Sequence, residues 1–154
     1  MALSDPTPGQ LERTILQQVQ RLYRQRIGQR PSKAICQLFD EKLSVVLWDA
    51  ISVTEQTLLD IGREELAKEV RSQLHEAMKP QLKTLLEEIV GTSIITVLID
   101  SDLNSGFSSI TAILGDIPAV RNPESIPKVD SKKLAQSSNK TGLGNGDWQM
   151  VNRN

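Results

Sequence analysis

Residues Ser32 to Ala50 read SKAICQLFDEKLSVVLWDA, and the fold turns on them. From Ser32 to Phe39, Ala34, Cys36 and Leu38 point one way and Lys33 and Gln37 the other. From Leu43 to Ala50, Leu43, Val45 and Leu47 share a face opposite Ser44, Val46 and Trp48. Alternation with period two marks a half-buried strand. Asp40, Glu41 and Lys42 form a polar turn between the runs, so the stretch predicts a β-hairpin. Cys36 falls on the apolar alternation. It reads as a small core residue rather than a nucleophile, because no histidine or carboxylate motif accompanies it.

Upstream, residues 9–27 predict a helix. Leu11, Ile15, Val19 and Leu22 recur at helical spacing, and Gly28 and Pro31 end the element. Arg21, Arg24, Arg26 and Arg30 crowd its C-terminal end, where cations suit the helix dipole. They are also candidates for contact with an acidic partner. Downstream, Ser52 with Glu55 is a capping box, and Gly62 closes the short helix it opens. Residues 63–90 then carry Leu66, Val70, Leu74, Met78, Leu82, Leu85 and Ile89 at alternating four- and three-residue steps. They predict one long amphipathic helix, kinked or split at Pro80. Two strand-like runs, Ile94–Ile99 and Ser108–Leu114, follow Gly91. The order α-β-β-α-α-β-β predicts an α+β domain with a four-stranded antiparallel sheet covered by helices on one face.

Periodicity stops at Ile117. The expected layout is a flexible N-terminus (1–8), one α+β domain (9–116) and a disordered, Ser-, Asn- and Gly-rich tail (117–154). The first 116 residues hold 12 Lys/Arg against 16 Asp/Glu, and the remainder 6 against 3. Neither part has the dense basic stripe of a DNA binder. One cysteine allows no internal disulfide and fits a reducing compartment. The N-terminal residues do not read as a signal peptide, and no apolar run is long enough to span a bilayer. Trp148, within DWQMV, stands out from its polar surroundings as a candidate docking residue.

DSDLNSGF, Asp100 to Phe107, superficially opens like a calcium loop. The sixth position is Ser105, with glycine one residue late at Gly106, and the twelfth is Thr111 rather than glutamate. With strand-like flanks, Ser101, Asp102 and Gly106 read as a structural hairpin connection. His75, the one histidine, is expected on the wetter side of the long helix. A single histidine excludes, by count, both a catalytic dyad and a multi-histidine metal site. Glu87 and Glu88 are adjacent and cannot face one another. No cofactor, metal or catalytic set is called for.

The segments GQRPSKAICQLFDEKLSVVLWDAISVTEQTLL, GREELAKEVRSQL and LEEIVGTSIITVLIDSDLNSG together resemble the MpsC family. The resemblance covers residues 9–115 and rests on Gly28 and Pro31, the Asp40 hairpin, Ser52 with Glu55, Gly62, Arg71, Gly91, and Ser101-Asp102 with Gly106. Its glutamine-rich style resembles cyanobacterial members. It departs from the family at Val53, where proline is common, and at Ser105, where threonine often precedes the glycine. The resemblance implies a cytoplasmic, non-catalytic accessory protein of an ion-coupled membrane system linked to inorganic-carbon (bicarbonate) uptake, peripheral at the inner face of the membrane and bound to a membrane-protein partner. A stand-alone small-molecule or RNA-binding module is the alternative. Ile35, Phe39, Val46, Trp48 and Ile113 fall opposite the nominal inner face of the sheet. An open face of that kind predicts a homodimer or other homo-oligomer and marks Trp48 as a partner-binding candidate.

Overall fold

The architecture is that of a computed structural model, which describes residues 5–128. Helix α1 spans Pro8–Arg26, opened by Thr7, whose hydroxyl accepts from the Gln10 amide while the Gln10 side chain accepts from the Thr7 amide. Its buried stripe is Leu11, Ile15, Val19, Leu22 and Tyr23. Gly28 follows at φ 86°, the left-handed value its position implied.

Strands β1 (Lys33–Phe39) and β2 (Lys42–Trp48) pair antiparallel around a turn at Asp40–Glu41. Helix α2 (Val53–Asp60) carries the capping box read from Ser52 and Glu55. Helix α3 runs Glu64–Val90 without a break, with Pro80 inside it. The expected split does not occur, and one continuous helix packs against β3, α1 and α2. Strands β3 (Ile94–Asp102) and β4 (Phe107–Leu114) close the second hairpin. The strands form one antiparallel sheet in the order β1-β2-β4-β3. Leu38, Leu43, Val45, Leu47, Ile110 and Ala112 face α1 and α3 and are 0–1 % exposed. Together with the helix stripes they form the core.

Two further expectations about the packing need correcting. The first concerns which face of α3 is inside. Met78 and Leu82 are buried as expected, but the rest of the buried row is Ala67, Arg71, His75, Leu86 and Val90. The row lies one residue away from the leucine stripe, and Leu66 is 38 % exposed. Polar partners on α2, β3 and β4 make this face the better fit, as described below.

The second concerns the boundary at Asp116. Packed chain continues to residue 128. Val120 and Ile126 are buried in the core, flanking a 3-10 turn at Pro123–Ser125. Backbone bonds fasten this strap: Ala119 N–H to Val90 O, Arg121 N–H to Pro6 O, and Asp40 N–H to Pro127 O. The Ala119 methyl closes off the space beside Gly91 (φ 72°): a Cβ there would come within 2.9 Å of it. The strap therefore tolerates only glycine at this position. Trp148 lies outside the described residues.

Candidate functional site

The polar centre of the molecule is built on the buried row of α3. Glu55 serves two structures at once. As the third residue of α2 its carboxylate accepts from the Ser52 amide and hydroxyl at 3.0 and 2.8 Å. The same carboxylate receives a forked contact from Arg71, with Nε to Oε2 at 2.6 Å and Nη2 to Oε1 at 2.5 Å. Glu55 is 0 % exposed and Arg71 3 %. A buried ion pair is stable only if its remaining donors are satisfied. Here Nη2 also donates to Ala50 O at 2.7 Å, and Nη1 donates to Ser101 Oγ and Ser108 Oγ at 3.2 and 3.4 Å. One guanidinium thus ties α3 to α2, to the end of the first hairpin and to both strands of the second.

His75, one turn on from Arg71, is buried rather than on the wet side. Its Nε2 lies 3.0 Å from Ser101 Oγ, which is itself 2.5 Å from Ser108 Oγ. A histidine–hydroxyl contact therefore exists, which a count of one histidine does not exclude. Burial and the neighbouring Arg71 charge hold the His75 pKa below its ordinary value, so at neutral pH the ring is uncharged. Burial raises the Glu55 pKa, but the hydrogen bonds from Arg71 and Ser52 outweigh it and the net shift is downward. Tyr23 is buried beside this cluster. Among the described residues its hydroxyl has no partner in hydrogen-bond geometry, and burial raises its pKa, with Arg71 and then Ser108 opposing. Arg71 and Ser108 already engage the Ser101 oxygen that a base would have to activate. The contacts make His75 a proton-sensitive member of the network that locks α3 to the second hairpin.

Outside this lock, α3 and β3 frame an open groove of about 390 Å³. His75 and Ser101 are among its lining residues, with Lys68, Lys79, Asp100 and Asp102 contributing mixed charge. Among the described residues, no group of three or more His, Cys, Asp or Glu is placed to hold a metal ion. In the hairpin turn, Asp102 uses its carboxylate on the Asn104 amide and its carbonyl on the Gly106 amide. Gly106 has φ 83°. Ser101 alone of the three hairpin residues joins the polar centre.

The other candidates lie elsewhere. Arg21, Arg24 and Arg26 are exposed along the end of α1, and Arg26 bonds Gln81 of α3 at 2.9 Å. Arg30 instead lines a separate hollow of about 690 Å³ with Asp49 and Asp60. Trp48 lies on the outer sheet face, its ring 5.2 Å from that of Phe107 and 4.8 Å from Lys33 Nζ. Among the described residues no helix covers this face, which also carries Ile35 (48 % exposed) and Leu98 (58 %). Sequence reasoning missed Arg71 and His75 as a unit. Their spacing along α3 was the available signal.

Taken together these features define a two-layer α+β domain, locked internally by a charged network and open on its outer sheet face. Among the described residues no helix is long and apolar enough to cross a membrane. The family described as the Na+-translocating membrane potential-generating system (MpsC) matches residues 7–116, and the chain belongs to it. No curated protein and no solved structure matches the chain.

Proposed function

We propose that this protein is a non-catalytic accessory component of a Na+-translocating membrane potential-generating system, acting at the cytoplasmic face by docking on a membrane-embedded subunit. The observation that carries this reading is the uncovered outer face of the sheet. Trp48, Phe107, Ile35 and Leu98 present apolar area there that the helices among the described residues leave open. The exposed arginines at the end of α1 add a salt-sensitive steering charge toward an acidic surface. The buried charges of the polar centre hold that face rigid rather than carry a reaction. The protein acts as a homo-oligomer, and the system it serves supports inorganic-carbon uptake.

Affinity purification of the tagged full chain from native membranes in mild detergent, followed by quantitative mass spectrometry, tests this. A many-helix membrane subunit should co-purify in constant proportion and be lost with Trp48→Ser. Loss of the protein should impair growth at low inorganic carbon more than at high. Absence of any membrane subunit from the purified material would overturn the reading.

The α3–β3 groove supports a second reading, a small-molecule-binding module. It is favoured by the mixed polar lining and the volume. A saturable ligand that protects the protein thermally and is lost on Asp100→Asn would favour it over docking.

A further inference from the structure

The two edges of the sheet are guarded differently. The bond from Leu114 N–H to Glu41 O fixes which backbone groups of β4 face β2. Alternation across the antiparallel ladder then fixes the rest. On β1, Ala34, Cys36 and Leu38 direct their N–H and C=O groups to the outer edge. Glu12 of α1 reaches over that edge and accepts from the Leu38 amide at 2.8 Å. On β3 the outward groups are those of Val97, Ile99 and Ser101. The Ser101 amide is taken by the Asp100 carboxylate at 2.8 Å. At the other end the ladder slips between Ile94 and Thr96, which interrupts the regular edge. Between these two stops, Val97 and Ile99 have no hydrogen-bond partner for their outward groups among the described residues. The open segment, Thr96 to Asp100, is centred on Leu98, which is 58 % exposed.

An open edge is a template for another strand, and this one is self-complementary. We infer that β3 pairs antiparallel with β3 of a second copy about a two-fold axis at Leu98, joining the two sheets into one. In this register Val97 and Ile99 exchange N–H···O=C bonds with Ile99 and Val97 of the partner subunit. Leu98 meets Leu98 of the partner subunit across the axis. Thr96 falls opposite Asp100 of the partner subunit, so the two Asp100 carboxylates are kept from facing one another. A register shifted by one residue toward Ile99 would instead need the Ser101 amide that Asp100 already holds. The stops at either end select the two-fold at Leu98 over its neighbours. The inference rests on the homo-oligomer reading but specifies its geometry. It leaves the Trp48 face free for a different partner and makes that face continuous across both copies.

The test uses the full chain with Cys36→Ser, so that any introduced cysteine is the only one. Directly opposed residues of an antiparallel pair that are not hydrogen-bonded have Cα atoms about 4.5 Å apart, within the range a disulfide spans. Leu98→Cys should therefore give a covalent dimer under mild oxidation, and Thr96→Cys should not. In sedimentation at tens of micromolar, the parent chain should be dimeric. Leu98→Lys, which sets like charges across the axis, should be monomeric with an unchanged circular-dichroism spectrum. Phe107→Ser should remain dimeric. A monomeric parent overturns both the edge pairing and the homo-oligomer reading. A dimer that survives Leu98→Lys, or fails to cross-link through Leu98→Cys, overturns the edge pairing alone.

Discussion

Arg71 and Glu55 meet as a two-point fork, Nε to Oε2 and Nη2 to Oε1, with both side chains sealed from solvent. The carboxylate caps α2 and the guanidinium belongs to α3, so the pair fixes the angle at which the short helix leaves the sheet. Removing one member strands the other as an uncompensated buried charge, at about 3–5 kcal/mol. Arg71→Met and Glu55→Gln should each show a loss of that order in denaturant unfolding. Arg71→Lys should also destabilise, because an ammonium cannot reproduce the fork. The double variant should recover part of the loss, and a double-mutant cycle reads the coupling.

Stability should fall as pH drops from neutral. His75 has a lowered pKa in the folded protein because of burial and Arg71. Below the ordinary histidine value of about 6.5 the unfolded chain binds the proton more readily, so unfolding is favoured. Glu55, also lowered on balance, adds a loss in the same direction at more acid pH, below the ordinary carboxylate range. Melting curves between pH 7.5 and 5 should show the decline, and His75→Gln should flatten its upper part. An unchanged slope in His75→Gln would exclude this histidine as the source.

The hairpins, the capping box, the left-handed glycine after α1 and the alternation of both strand pairs were legible because each depends on neighbours a few residues away. The true inner face of α3 was not. Leu66, Val70 and Leu74 satisfy helical periodicity better than Ala67, Arg71 and His75 do. What turns the polar row inward is Glu55 on α2 and Ser101 and Ser108 on the second hairpin, groups remote in sequence. Glu55 was legible for its cap and not for its second bond. Val120 and Ile126 escaped for another reason: isolated apolar residues in a Pro-containing stretch carry no period, and only the cleft they fill gives them meaning.

That cleft makes the strap part of the fold. A chain ending at Asp116 forfeits the burial of Val120 and Ile126, each about 1.5–3 kcal/mol when a large apolar side chain is fully removed from water. Its denaturation midpoint should fall well below that of the full chain. A chain ending at Lys128 should match the full chain. Equal midpoints for all three would show that the strap adds nothing.

Cys36 should be a poor nucleophile. Burial, and secondarily Glu12, push its thiol up to about 12. Since the thiolate is the reactive form, labelling at neutral pH should be roughly a hundred- to a thousandfold slower than for an open thiol. Labelling should become fast in denaturant. Rapid modification of the native protein would contradict the burial.

The docking claim is tested most directly by site-specific photo-cross-linking in native membranes. A photoreactive residue at Ile35, on the open sheet face, should form an adduct with a membrane-embedded subunit. The same group at Glu65, whose side chain is 92 % exposed on α3, should not. The Ile35 adduct should vanish when Phe107→Ser is introduced alongside it. No adduct from Ile35, or equal yields from Ile35 and Glu65, would contradict the account.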